Sequence, residues 1–172
     1  MISVPLVSSI FAIAQVEIGN HDNSSELRHP IPNQSYYAKG TMGLSAYGGL
    51  CSYLQQNLTI NYPGSTQVGL EQQMPLQGVM YTPANSLIIT TSGDYEINFM
   101  PRGTPPISTT VAVSVYVNGA DFANLTNIQT LTAGMEGEFY GSGIVTLPAG
   151  AVVELRVWAI VALTLHQYGE TG

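Results

Sequence analysis

Apolar and polar residues alternate in a series of short segments that begins near Leu44 and continues through the rest of the chain. The clearest segment carries valines at every second position: Val111, Val113, Val115 and Val117. It ends at Asn118-Gly119, the dipeptide preferred in the tightest β-hairpin turns. No part of residues 44–172 keeps the 3.6-residue period of an amphipathic helix. The pattern therefore predicts an all-β region built from short antiparallel strands, as a sandwich or barrel.

Other segments repeat this pattern on both sides of the Asn-Gly turn. Residues 93–99 alternate after a Ser-Gly break, and residues 141–158 form two alternating runs hinged on Pro148-Ala149-Gly150. A last strand is predicted at residues 161–166. Since no helical segment separates these strands, parallel βαβ units are excluded.

The region before residue 44 differs in composition and divides the chain into three parts. Residues 1–18 are apolar, residues 19–43 are rich in Asn, His and Pro, and residues 44–172 carry the strand pattern. We interpret them as a docking segment, an extended connector and a head. The docking candidates are Leu6, Ile10, Phe11 and Ile13. No Lys or Arg precedes the apolar run, which favours a retained segment over a signal peptide. The spacing of apolar residues in residues 1–18 fits a helix, but their high content of Val, Ile and Ser lowers helix propensity. The secondary structure of this segment is therefore left open.

Charge is scarce in this chain. Charged residues make up 9% of the sequence, against roughly 25% in an average soluble domain. The net charge is −7, and the four basic residues are scattered singly. This argues against nucleic-acid binding and, with no basic amphipathic helix, against membrane insertion. A surface so poor in charge favours burial against other copies of the chain.

Catalytic side chains are few. The chain has one cysteine and three histidines, and no G-x-S-x-G motif precedes a predicted helix. Cys51 and His166 would make a nucleophile pair if the first and last strands were neighbours. A buried thiol and a histidine at a strand end are the favoured interpretation. The sequence therefore predicts a protein that is not an enzyme.

No metal or cofactor motif stands out. Asp94, Asp121, Glu136 and Glu138 lie in or near predicted turns, where carboxylates are able to bind calcium, but no Asp-x-Asp loop is present. Solvated turn carboxylates are the favoured interpretation. We predict no cofactor and leave calcium binding open.

Three motifs in order resemble those of a known family. They are GDYEINF at 93–99, VSVYVNG at 113–119, and GSGIVTLPAG at 141–150 followed by Val153-Glu154-Leu155. Their order and spacing are similar to the globular heads of complement and tumour necrosis factor type. Their greatest similarity is to the bacterial branch, found at the ends of spore-surface collagen-like glycoproteins and on bacteriophage fibres. The resemblance covers residues 44–168 and rests on turn glycines and alternating apolar positions.

The resemblance implies an antiparallel two-sheet jelly-roll sandwich of about ten strands that assembles as a homotrimer. Some heads of this type bind calcium near the apex of the trimer. Five aromatic residues are the candidates for the trimer interface or the core: Tyr47, Tyr95, Phe99, Tyr116 and Tyr140. A collagen-like stalk is absent, and the short apolar segment takes its place.

These expectations combine into one functional hypothesis and one alternative. The first is a non-enzymatic trimeric head on the surface of a particle, a bacteriophage virion in preference to others. It would attach to a larger particle protein through residues 1–18, and its loops would contact a host receptor or glycan. Removing residues 1–18 is then expected to leave a soluble trimer. The alternative is a secreted or spore-surface lectin-like binding module whose loops hold calcium or sugar. The ligand and the particle are left open.

Overall fold

The computed structural model describes residues 8–14, 46–82 and 85–167, with side chains for residues 46–81 and 85–167. Every regular element in these ranges is a β-strand. The strands are β1 (Ser8–Ala14), β2 (Ala46–Ser52), β3 (Gln56–Ile60), β4 (Ser65–Gln67), β5 (Gln72–Gln73), β6 (Val79–Thr82), β7 (Ser86–Ile89), β8 (Gly93–Met100), β9 (Arg102–Thr104), β10 (Thr109–Val117), β11 (Ala120–Leu131), β12 (Gly137–Glu138), β13 (Gly141–Leu147), β14 (Val152–Ala159) and β15 (Leu163–Gln167). Over those residues there is no helix long and apolar enough to cross a membrane.

The predicted all-β, antiparallel jelly-roll fold is confirmed, although the number of strands is larger than expected. The described residues form fifteen strands instead of about ten. Part of the excess comes from interrupted strands. Residues 53–55 separate β2 from β3, Pro101 separates β8 from β9, and residues 139–140 separate β12 from β13.

The first layer of the sandwich combines two sheets. Their strand orders are β13-β8-β1-β2-β5 and β12-β9-β15-β3. The ladder between β8 and β13 keeps its register into β9 and β12, because Phe99 opposes Gly141 and Gly103 opposes Gly137. Between these pairs the Phe139 N–H donates to the Pro101 carbonyl over 2.9 Å. Proline has no N–H to return the second hydrogen bond, so the ladder is interrupted there.

The middle row of the first layer is shared by two strands, β1 and β15, and we call it the central row. β1 pairs with β2 on one side and β8 on the other, while β15 pairs with β3 and β9. All four pairings are antiparallel, so β1 and β15 run in the same direction along one row. β15 ends where Gln167 opposes Gln56 and Gly103, and β1 begins where Ser8 opposes Ser52.

The second layer is a single six-stranded sheet. Its order is β11-β10-β14-β7-β6, with β4 also pairing β14. β10 and β11 are joined by Asn118 and Gly119, both at positive φ, 52° and 79°. This is the left-handed backbone that the predicted Asn-Gly hairpin turn requires. The chain passes repeatedly between the two layers, which is the jelly-roll path.

The core lies between the layers and is formed by one side of each long strand. In β8 and β14 alternate residues are buried, as the period of two predicts. The largest fully buried side chains are Tyr95, Phe99, Phe139, Leu50, Ile60, Leu70, Leu87, Ile89, Ile97, Leu125 and Leu147. They come from both layers, so one core joins the whole described region.

The apolar N-terminal segment, whose secondary structure the sequence left open, contains a strand. Residues 8–14 form β1, which has neighbours on both sides. They therefore belong to the sheet of the head, and the predicted boundary at residue 44 is wrong for this part of the chain. Its removal would leave β2 and β8 without their common partner, so the expected intact trimer after deletion of residues 1–18 no longer follows. Residues 15–45 lie outside the described residues.

Gly141 provides a test of how closely the edge of the first layer packs on the core. A Cβ atom at Gly141 would overlap the ring of Phe99, which is 1% exposed. We expect Gly141→Ala to lower the free energy of unfolding by about 2 kcal/mol, because the buried ring has to move. Urea denaturation followed by tryptophan fluorescence measures the change.

The adjacent exposed residue supplies the control for this test. We expect Ser142→Ala to change the free energy of unfolding by less than about 0.5 kcal/mol. Equal destabilisation by both substitutions would show that the Phe99 contact is not the cause.

Candidate functional site: an apolar edge and a loop end

The five aromatic candidates separate into three environments. Tyr95 and Phe99 lie in the core, at 0% and 1% exposure. Tyr47 and Tyr116 are half-buried, and Tyr140 is 58% exposed. Among these candidates, Tyr140 therefore presents the most free surface.

The docking candidates lie largely within the sheet. Ile10, Phe11 and Ile13 are residues of β1, opposite Leu50, Gly49 and Tyr47 of β2. A central strand has its backbone hydrogen bonds committed on both sides, so these residues form part of the head. Leu6 lies outside the described residues.

The candidate nucleophile pair is not brought together. In β15, His166 Nδ1 lies 2.7 Å from the Asn57 side-chain oxygen. Cys51 lies on β2 and opposes Ser9 and Gln72. Burial raises the pKa of the Cys51 thiol, with a smaller increase from Glu71 and an opposing effect of a hydrogen bond with Tyr53. A raised thiol pKa disfavours the reactive thiolate.

Three of the four turn carboxylates contact other protein groups. Arg102 lies 3.2 Å from Glu136 and 3.8 Å from Glu138. Asp94 accepts a hydrogen bond of 2.6 Å from the Thr146 hydroxyl. Residues 46–81 and 85–167 contain no group of three His, Cys, Asp or Glu side chains placed to hold a metal ion.

Arg156 of β14 links this strand to β4, its neighbour in the second layer. Its Nε donates to the Ser65 hydroxyl over 2.9 Å, and its guanidinium pairs with Glu154 at 3.0 Å. The guanidinium carbon lies 5.3 Å from the centre of the Tyr116 ring, within range of a cation–π contact. These contacts agree with the outer face of a sheet.

One cavity lies between the layers and measures about 10 Å³. It is lined by apolar side chains including Leu58, Val113 and Phe139, and by Gln167. This space fits about one water molecule. The cavity is therefore too small for an organic substrate.

The strongest surface feature lies where the two layers meet at one side. β13 is the terminal strand of the five-stranded sheet, and β11 is the terminal strand of the second layer. Ile128 of β11, Tyr140, and Ile144 of β13 are exposed there at 58%, 58% and 76%. We call these three side chains and the two strands that carry them the apolar edge.

Side-chain amides fasten the two strands of the apolar edge together. Asn127 donates to the Tyr140 carbonyl over 2.8 Å, and Gln129 donates to the Glu138 carbonyl over 2.7 Å. A Cβ atom at Gly143 would overlap the Leu125 side chain, so the strands approach closely. The two strands are therefore fastened to each other from Leu125 to Gln129 of β11.

The apolar edge lacks the usual protection of terminal strands. Natural edges carry Lys or Pro, bulges, or very short strands that prevent pairing with another chain. β11 has twelve residues and β13 has seven, and Asp121 is their only charged residue. The ladder that joins β11 to β10 does contain a register irregularity, between Ser114 and Tyr116 of β10. An edge of this length with a single charged residue is suited to burial against another protein.

A second apolar surface lies at one end of the sandwich, formed by four loops, and we call it the loop end. The loops are 61–64, 105–108, 132–136 and 160–162. Ile60 opposes Leu163, Ile160 donates to the Thr110 carbonyl, and Gly134 donates to the Pro105 carbonyl, which places them together. Their large exposed side chains are Tyr62, Ile107, Met135, Ile160 and Val161.

The sequence analysis did not single out Ile128 or Ile144. Both lie in alternating or mixed segments where the buried face is ambiguous, since Ile144 is followed by Val145, which is buried. The available signal was the absence of charge from residues 122–131 and 139–147. It indicated a contact surface without showing which residues form it.

Comparisons with known proteins give matches among solved structures. No protein-family model matches the sequence, and no curated protein matches it. Among solved structures, the crystal structure of murine APRIL at pH 5.0 aligns with a TM-score of 0.44 and 11% sequence identity. The alignment covers 67% of this chain and 99% of that chain.

Two buried groups make the free energy of unfolding depend on pH in the alkaline range. Burial raises the pKa of Tyr95, whose hydroxyl donates to the Thr91 carbonyl over 2.6 Å, and burial also raises the pKa of Cys51. In the unfolded chain both groups lose their protons at ordinary values, while the folded chain retains them. Stability is therefore full below those ordinary values and is lost as the pH rises toward the raised ones.

We expect the urea midpoint to fall as the pH increases above about 9. Tyr95→Phe and Cys51→Ala remove the groups that titrate. The double variant is expected to be less stable at pH 7 but to lose less of its stability between pH 7 and about 10.5. The same alkaline loss in the double variant and the unaltered protein would assign the effect to other groups.

Proposed function

We propose that this chain is a non-enzymatic structural and adhesion head. It assembles as a homotrimer on the surface of a particle, a bacteriophage virion in preference to a spore. The apolar edge makes the contact between copies, and the loop end meets a host receptor or glycan. The observation that carries the proposal is the apolar edge.

The chemistry of the apolar edge supports assembly with other copies. Ile144, Tyr140 and Ile128 leave most of their side-chain surface in solvent in the single chain. Covering apolar surface contributes roughly 25 cal/mol per Å², and aromatic residues are enriched at protein interfaces. Ring-shaped assembly lets each copy bury this edge against a different surface of its neighbour.

The loop end lies at the opposite end of the strands from the hairpin turns, and its exposed side chains support recognition of a receptor or glycan. Asn118-Gly119 and residues 148–150 lie at the other end of the strands, where Asn118 and Val152 exchange hydrogen bonds. Exposed Tyr62 offers an aromatic face and a hydroxyl, a combination suited to contact with sugars or protein. The connector residues follow Ala14 and precede Ala46 at the hairpin end.

The arrangement of polar groups supports a role without catalysis. His166 contacts Asn57, the carboxylates Glu136 and Glu138 contact Arg102, and Cys51 is buried. No nucleophile and base lie together among these groups, as general-base catalysis of a nucleophile requires. Calcium-dependent lectin activity has no supporting observation at Glu136 or Glu138, because both lie against the same guanidinium.

The assembly is tested by the solution mass of the full chain. We expect light scattering at low micromolar concentration to give three chains. Ile144→Asp places a charge in the apolar edge, and we expect it to weaken assembly by about 30-fold or more and to shift the mass toward one chain.

A matched control separates the apolar edge from general loss of surface hydrophobicity. Met80→Asp alters an exposed apolar residue of β6, the opposite terminal strand of the second layer, at 55% exposure. It is expected to keep the mass of three chains. A single-chain mass for the unaltered protein, or dissociation by Met80→Asp alone, would contradict the proposal.

Surface display is tested by immunogold electron microscopy with an antibody against residues 46–167. Labelling on the outside of intact virions supports the proposal, whereas labelling of spores supports the alternative particle. Labelling confined to the cell interior contradicts both.

A further inference from the structure

We propose that the central row is completed by exchange: β1 of one copy occupies the place between β2 and β8 of a neighbouring copy. The partner is a second copy of this chain, and the site is the strand-accepting place in its first layer. The inference rests on the homo-oligomeric assembly proposed above, and it adds how the copies are linked.

The accepting place is built for a strand of a defined length and register. β2 contributes a ladder of seven pairs, from Ser52 opposite Ser8 to Ala46 opposite Ala14. β8 contributes a second ladder, from Met100 opposite Ser9 to Tyr95 opposite Ala14. Without β1, these two strands would each have a row of backbone groups and no strand to pair with. Addition of an extended segment satisfies both rows, which is a known mode of peptide recognition.

The connection between β1 and β2 is far longer than their pairing needs. Ala14 and Ala46 are direct register partners, so a hairpin of two to five residues would join them. Residues 15–45 supply about 30 residues instead. A coil of that many residues would span on the order of 30 Å, about the diameter of a small domain. The number of residues is therefore sufficient for β1 to reach a neighbouring head.

The central row combines strands from both ends of the described chain. Gln167 of β15 opposes Gly103, and Ser9 of β1 opposes Met100 further along the same row. The row is thus divided between two segments that are remote in sequence. Exchange of an identical element between copies preserves every contact of the single chain while linking the copies.

The lone cysteine supplies a direct test, because Cys51 opposes Ser9 of β1. Tyr47 of β2 exchanges both backbone hydrogen bonds with Gln77, away from β1, and Cys51 has the same parity. Ser9 and Cys51 therefore form a non-hydrogen-bonded pair, in which opposed Cα atoms lie about 4.5 Å apart. This spacing is within the range of a disulfide.

The experiment oxidises the full-length Ser9→Cys variant with diamide and compares non-reducing with reducing denaturing gels. Exchange predicts bands of two and three linked chains that return to one chain on reduction. A disulfide within one chain, seen as a single-chain band without free thiols, would overturn the exchange. Failure to form any disulfide would also overturn it, because β1 would then not occupy the place.

Two control variants exclude links made by random collision. Ser8→Cys moves the new thiol to the position opposite Ser52, on the other side of the strand from Cys51, and we expect no linked chains. The Ser9→Cys variant that also carries Cys51→Ala is expected to stay unlinked. Equal linking of the Ser8→Cys variant would overturn the exchange.

Light scattering of the same samples separates this inference from the proposed function. A mass of one chain would refute the homotrimer and the exchange together. A mass of three chains with a disulfide inside each chain would keep the homotrimer and overturn only the exchange.

Discussion

Buried backbone N–H and C=O groups need hydrogen-bond partners on both sides of each strand, and the rest of the structure depends on this requirement. In the first layer this requirement is fulfilled only when both strands of the central row are in place. β15 pairs with the backbone groups of β3 and β9, and β1 pairs with those of β2 and β8. The buried residues Leu50, Ile97 and Phe99 all lie on strands next to β1. The packing of the core therefore depends on a segment from the far N-terminal part of the chain.

Low charge and unprotected edges are two aspects of one property. A chain with 9% charged residues has few Lys or Glu side chains with which to protect its terminal strands. The few that are present mostly make local contacts, as Arg102 does with Glu136 and Arg156 with Glu154. They stabilise loops and the outer face of the second layer and leave the apolar edge uncovered.

The sequence was sufficient to predict strands with a strict period of two. β10 carries valines at every second position and ends in a turn that only Asn, Asp and Gly adopt readily, so its position was predicted closely. β1 was not predicted because apolar residues occupy both parities of Ser8–Ala14, and such a run does not distinguish a strand from a helix. β11 was missed because its polar residues mark an exposed edge, where alternation disappears. The apolar edge depends on which residues of β13 face outward, and that register is fixed by pairing with β8.

The division of the central row has a consequence for the topology of the whole chain. β15 and β1 run in the same direction, and the register of β1 on β8 places Ser8 level with Pro101, two positions beyond Gly103, which opposes Gln167. Along the sheet, β15 and β1 together occupy the row of one long strand, although they come from distant parts of the sequence. The chain is in this sense a circular permutation of a jelly roll whose last strand is continuous. A rearranged chain that starts at Ala46 and carries residues 8–14 shortly after Gln167 would keep every strand pairing while dispensing with the connector.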